Sequence, residues 1–225
     1  MSMLLRTLIL AVLLIALAPS VAEGQDETGL AIEVATGTAL SVPLPLTVEQ
    51  HGFPTLNVTG HYATRPFEDA PYYAWRVGLW RHGSAWELQL VHHKLYLENP
   101  PPAIERFQIT HGYDMLTFGR AWHHGSVLVR AGAGIVFAHP EGTIREKTWP
   151  ETGGLTLGFI GLLHDGYFLT GPAARVSIAR RFGRTFFVAP EVEVSAARAR
   201  VPIVGGEASV PNIAIHPRIA VGVRF

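Results

Sequence analysis

Nine ionisable side chains stand among apolar residues at positions that alternation would place on one side of a sheet: Glu33, Arg76, Glu87, Asp114, Arg130, Arg175, Glu191, Glu193 and Arg218. Four are arginines and five are carboxylates, so the two signs nearly match. Arginine's planar fork suits bidentate contact with a carboxylate. If the nine share one interior, the chemistry on offer is charge pairing, with a proton or ion path through the same groups as the alternative. The chain also carries 11 histidines, but none of their spacings makes a metal-ligand set. Neighbours on a strand point to opposite faces, so His92 and His93 do not serve one lumen, and His123 and His124 fall in a tight turn. Assembly of a metal site from separate strands is the one route left open; the spacing itself supports no metal and no other cofactor. Gly153 with Gly154, and Gly205 with Gly206, precede no helix start bearing Lys and Ser/Thr, so they read as loops rather than phosphate cradles. Asn57-Val58-Thr59 spells a glycosylation acceptor, a motif short enough to arise by chance.

Composition limits what can position these charges. Hydrophobic residues make up 48% and charged residues 16% of the 225, against about 25% charged in a soluble domain. Even so, no apolar run reaches the roughly 20 residues of a spanning helix. Lys+Arg 18 against Asp+Glu 18 leaves no net field to attract nucleic acid, which is excluded as a partner. Cysteine is absent, which removes disulfides, lipidated cysteine, thiolate metal sites and cysteine nucleophiles. At the start, one cation (Arg6), an apolar stretch from Leu8 to Ala18 and Ser20-Val21-Ala22 read as a signal peptide over residues 1–22, cleaved after Ala22. The polar run Glu23-Gly24-Gln25-Asp26-Glu27 that follows argues against an anchor. Residues 23–225 are then one exported domain.

Within that domain apolar residues recur at every second position, the period of a strand with two unlike faces. The pattern predicts strands at 29–40, 72–81, 85–97, 105–122, 125–138, 167–181, 185–200 and 212–225. In the last, Ile213, Ile215, Ile219, Val221, Val223 and Phe225 oppose Asn212, His216, Arg218 and Arg224. In the fourth, Phe107, Ile109, Tyr113 and Met115 are placed outward and Gln108, Thr110 and Asp114 inward. The joints after strands two, four and six are short (82–84, 123–125, 182–184), while those after one, three, five and seven are longer and rich in Pro, Gly or charge. Segments 42–63 and 154–163 are read as decoration of the long-loop end; counting them as strands raises eight to ten.

A soluble sandwich would place its charged face in water and its apolar face inside. Unpaired, the nine charges would be ruinous in an apolar core, whereas a closed sheet in lipid can turn apolar residues outward and pair its charges within. The expected fold is therefore all-β: a closed antiparallel transmembrane β-barrel of about eight strands, whose lumen is just wide enough to be filled by side chains.

On Arg65-Pro66-Phe67-Glu68-Asp69-Ala70-Pro71-Tyr72-Tyr73 leading into strand two, and on the ending Val221-Gly222-Val223-Arg224-Phe225, the chain resembles the small outer-membrane β-barrels of the OmpA and OmpW type. The resemblance implies an outer-membrane location, contact with outer-membrane lipids including lipopolysaccharide, a monomer, and Phe225 as the signal read by the outer-membrane assembly machinery. It finds no counterpart of the peptidoglycan-binding domain that some OmpA-type proteins carry. Lipid A deacylases and palmitoyltransferases share this size, but His124-Gly125-Ser126-Val127 lacks the Asn of the deacylase His-x-Ser-Asn motif. It also falls at the short-turn end, and no Ser has a His partner in sequence, as nucleophilic catalysis requires. The expectation is a non-enzymatic barrel with an envelope structural role or a ligand held by its extracellular loops. A lipid A modifying enzyme and a narrow pore are the alternatives.

Overall fold

β-Branched and aromatic residues alternating with small and polar ones favour pleated strands over helix, and the computed structural model, which describes residues 27–124, 127–155 and 166–225, is built from strands. In chain order they are β1 (Gly29–Gly37), β2 (Leu40–Ser41), β3 (Leu44–Gln50), β4 (Leu56–Gly60), β5 (Tyr62–Ala63), β6 (Tyr73–Arg81), β7 (Ser84–Leu97) and β8 (Ile104–His124). There follow β9 (Val127–Ala138), β10 (Glu141–Ile144), β11 (Lys147–Thr148), β12 (Phe168–Ala179), β13 (Phe186–Ile203) and β14 (Gly206–Arg224).

Eight of these close a ring. β1 pairs with β6, and the pairing continues through β7, β8, β9, β12, β13 and β14 back to β1, antiparallel throughout. Each member has a neighbour on both sides, so the ring presents no free edge. The short strands lengthen the sheet at one end: β3 pairs with β4 and with the start of β14, β2 with β14, β5 with β7, and β10 with β8 and β11. The expected hairpin within 42–63 is thus β3 and β4. At the opposite end the β6–β7 joint is only His82 and Gly83, both at positive φ (48° and 72°) as a type I′ turn requires. The start of the expected fifth strand and the segment 154–163 lie partly, and the expected cleavage site wholly, outside the described residues.

Two expectations are corrected. The joint after the seventh strand is not long: β13 and β14 run as one hairpin to Val204 and Gly205. Pro202 and Pro211, which read as loop signals, sit inside it opposite Glu207 and Arg198. The fourth strand also has its faces exchanged. Phe107, Ile109, Tyr113 and Met115 are buried in the core, while Phe118 and Trp122 are exposed. Tyr113 reaches across the interior to donate to the Val210 carbonyl at 3.0 Å.

The reason for the exchange is a change of pattern along the barrel axis. In the half nearest the short turns, exposed side chains are apolar (Val34, Leu79, Trp86, Phe118, Val176, Ile219, Val221) and the interior is ionic. In the half nearest the long connections, Leu46, Val48, Leu95, Ile109, Val201 and Val210 fill the interior, while Glu49, Arg198, Arg200 and Glu207 face outward. An apolar residue therefore marks the outer face in one half and the inner face in the other.

Gly222 faces inward opposite Phe187, where a Cβ would lie 2.3 Å from the Phe187 ring and 2.7 Å from the Ile32 carbonyl oxygen. Gly222→Ala should lower stability by about 1–3 kcal/mol through overpacking, read as a lower urea midpoint of the refolded barrel. An unchanged midpoint would contradict this packing.

Candidate functional site

Because side chains alternate across a strand, one or two positions on each ring strand reach the same level of the lumen. The ring thus delivers Glu33 from β1, Arg76 from β6, Glu87 and Gln89 from β7, Thr117 from β8, Arg130 from β9, Arg175 from β12, Glu191 and Glu193 from β13, and Arg218 from β14. Register sets opposite charges directly across from one another: Glu33 faces Arg76, and Glu191 faces Arg218, the favourable arrangement for a cross-strand pair.

The pairs share partners and form a continuous network. Arg76 donates to Glu33 at 2.6 Å and to both carboxylate oxygens of Glu191 at 3.0 Å. Arg130 donates to Glu33 at 3.0 Å and to Glu87 at 3.2 Å. Arg218 donates to Glu193 at 2.8 Å and lies 3.3 Å from Glu191. Arg175 donates to the Thr117 hydroxyl at 2.9 Å and stands 3.6 Å from Glu87 and 3.8 Å from Glu193. Gln89 joins the groups, accepting from Arg76 Nε at 2.9 Å and donating to Glu193 at 2.9 Å. All eight charged side chains are at most 4% exposed. Charges so far from water are tolerable only because each has partners of opposite sign.

Layers of different character flank this zone. Toward the long connections, His216 is held between the Tyr72 hydroxyl (2.9 Å, Nδ1) and the Ser195 hydroxyl (2.7 Å, Nε2), with His93 edge-on to it. Toward the short turns lie Trp80, Leu128 and four alanines. Arg181 then stacks over Trp80 and Phe187 and links Glu33 (3.2 Å) to Glu27 (2.6 Å). Glu27 also meets Arg224 at 2.9 Å and His123 at 3.1 Å. Burial alone would raise the Glu27 carboxyl, but the His123 hydrogen bond and the Arg181 charge outweigh it and hold the pKa below the usual carboxylate value.

Of the nine residues singled out in the sequence, eight meet in this network and Asp114 does not. The exchanged faces of β8 turn Asp114 to the other side of the wall, where it pairs with His92 Nδ1 at 2.7 Å beneath the Tyr73 ring. Sequence reading missed Glu27, which precedes β1, and Arg181, which lies beyond the end of β12 and shares the parity of Arg175 at the last position of the expected sixth strand. Phe225 is 72% exposed, its N–H bonded to the Leu30 carbonyl at 2.9 Å. Among the described residues, the side chains of metal-ligand type that converge are His111, His139 and Glu141, none of them part of the ionic network.

No protein-family model and no curated protein matches the sequence. Among solved structures, the chain is similar to the outer-membrane protein OprG from Pseudomonas aeruginosa, with 9% identity over 90% of this chain and 99% of that one and a TM-score of 0.45. It is similar also to Neisserial surface protein A, with 8% identity over 88% and 98% and a TM-score of 0.41. A third is Ail, the attachment invasion locus protein of Yersinia pestis, with 8% identity over 85% and 99% and a TM-score of 0.38.

Proposed function

We propose that this chain is an integral outer-membrane barrel whose lumen is plugged by its own ion pairs, and which serves the envelope as a structural element or binds a ligand through its extracellular end. The observation that carries this reading is the reversal of patterning along the axis. Outward Val188, Val194, Ile213, Ile219 and Val221 on β13 and β14 are apolar, while Arg198, Arg200 and Glu207 further along the same strands are charged and exposed. A band of apolar exterior around an ionic interior suits lipid, and the opposite arrangement beyond it suits water. In this reading the short turns lie in the periplasm and the β3–β4 and β13–β14 extensions outside the cell. Residues 1–22 are removed after Ala22 on export, and Phe225, exposed at the periplasmic end, is the element read by the assembly machinery. Outer-membrane lipids, including lipopolysaccharide, surround a monomer.

The plug follows from the same burial. Four arginines interleaved with four carboxylates leave no charge facing an open passage, so the network closes the lumen rather than lining a conduit.

Two experiments test the reading. Val221→Arg, near the middle of the apolar band, should destabilise the barrel in lipid vesicles by roughly 2–4 kcal/mol, with Val221→Leu near neutral; equal tolerance of both would contradict a lipid-facing position. Arg130→Met should cost about 3–5 kcal/mol by leaving buried carboxylates short of a partner, measured by urea unfolding, while the parent protein gives no discrete conductance steps in planar bilayers. A neutral Arg130→Met, or steady conductance by the parent, would overturn the plug.

A further inference from the structure

Three residues, one on β8, one in the β9–β10 joint and one on β10, converge at the long-loop end, clear of the ionic network. The β8–β9 pairing ends at Tyr113 with Ala138, and the next pair, Glu141 with Gln108, belongs to β10. Gly112, at φ 139°, lies in the irregular stretch between. That irregularity brings His111 to the side of the sheet that carries Glu141, where its Nδ1 sits 2.9 Å from Glu141 Oε1. His139 follows β9 directly, and its ring centroid lies 5.1 Å from that of His111.

One ligand atom from each of His111, His139 and Glu141 lies within 4.8 Å of the others. In a tetrahedral zinc site, metal–ligand bonds of about 2.1 Å put ligand atoms about 3.4 Å apart, a spacing that falls inside the 4.8 Å limit these three atoms keep. A nitrogen and an oxygen 2.9 Å apart already subtend about 90° at an ion bonded to both at that length.

The surroundings orient these ligands. Gln108 donates to Glu141 Oε2 at 2.7 Å, and the Thr110 hydroxyl donates to Oε1. The Tyr167 hydroxyl donates to the His111 carbonyl, and its ring lies against His139 at 5.1 Å. Such outer contacts fix ligand orientation in metal centres. Glu141 and His139 are buried, whereas the His111 side chain is 45% exposed, which leaves an approach from outside.

We propose that His111, His139 and Glu141 bind one divalent transition-metal ion of the zinc class. Two imidazoles and a carboxylate form a borderline-soft donor set suited to such an ion rather than to calcium or magnesium, which favour oxygen alone. Three protein ligands leave a fourth position, open on the His111 side, for water or an exchangeable group.

The test uses the full chain refolded in detergent micelles, stripped with a chelator and titrated with Zn²⁺ alone, then with Co²⁺ as a spectroscopic probe. One Zn²⁺ per chain is expected, with His111→Ala and His139→Ala each weakening binding at least about tenfold. His51→Ala and His61→Ala, both exposed and outside the cluster, should leave it unchanged. Far-ultraviolet circular dichroism confirms that each variant remains a barrel. Should the alanine variants fail to fold, His111→Gln and His139→Gln take their place, and loss of the intense visible Co²⁺ bands of a low-coordinate site in either folded variant, with the bands kept in His51→Ala and His61→Ala, is the expected result. Zn²⁺ affinity equal in the parent and the folded His111→Ala and His139→Ala variants, or a hydrated-ion Co²⁺ spectrum, would overturn the proposal.

Discussion

Charges removed from water must find each other, and in this molecule that requirement and the closure of the sheet enforce one another. Arg76 satisfies Glu33 on the neighbouring strand and Glu191 across the lumen, while Arg130 reaches Glu33 and Glu87 from yet another strand. No two adjacent strands could supply these partners; only a ring brings them to one level. A buried ion pair adds little net stability compared with a well-packed apolar substitute, but removing one member is severe. The network therefore penalises any register that would separate the charges. A slip of one residue along any ring strand other than β8, which contributes Thr117 rather than a charge, would send its ionic side chain to the apolar exterior.

Above that level the requirement lapses and the interior changes character. His216, Tyr72 and Ser195 form a hydrogen-bonded tier, and beyond it Leu46, Val48, Val201 and Val210 pack as in a water-soluble β-protein. The extension made by β3, β4 and the far ends of β13 and β14 has apolar contacts within and charges without, and so can stand in water on its own terms. His111, His139 and Glu141 occupy the margin between the two regimes, where the β8–β9 pairing gives way to β10 and polar groups can be partly buried yet reached from outside.

Much of this was legible in the sequence. Alternation locates seven of the eight ring strands to within three residues at each end and misses the first six residues of β14, and eight of the nine charges selected by parity share the lumen. Asp114 escapes the parity argument because Met115 and Leu116 are both apolar and Tyr113 carries a hydroxyl, so the sequence orients β8 only if apolar residues face outward, whereas above the ionic layer they face inward. The β13–β14 hairpin is longer than the sequence suggests because Pro202 and Pro211 are turn signals locally, yet long pairing overrides them. The convergence of His111, His139 and Glu141 had no spacing to reveal it, since it depends on a change of register between strands.

The account rests on the outer environment switching from lipid to water along a single strand. The chain contains no cysteine, so one spin label at a time can be placed on β13 in vesicle-embedded protein, at Val188, Val194, Arg198 and Arg200, and its collisions with oxygen and with a water-soluble nickel chelate compared. Labels at 188 and 194 should favour oxygen and those at 198 and 200 the chelate. Chelate access at 188 and 194 equal to that at 200 would contradict the account.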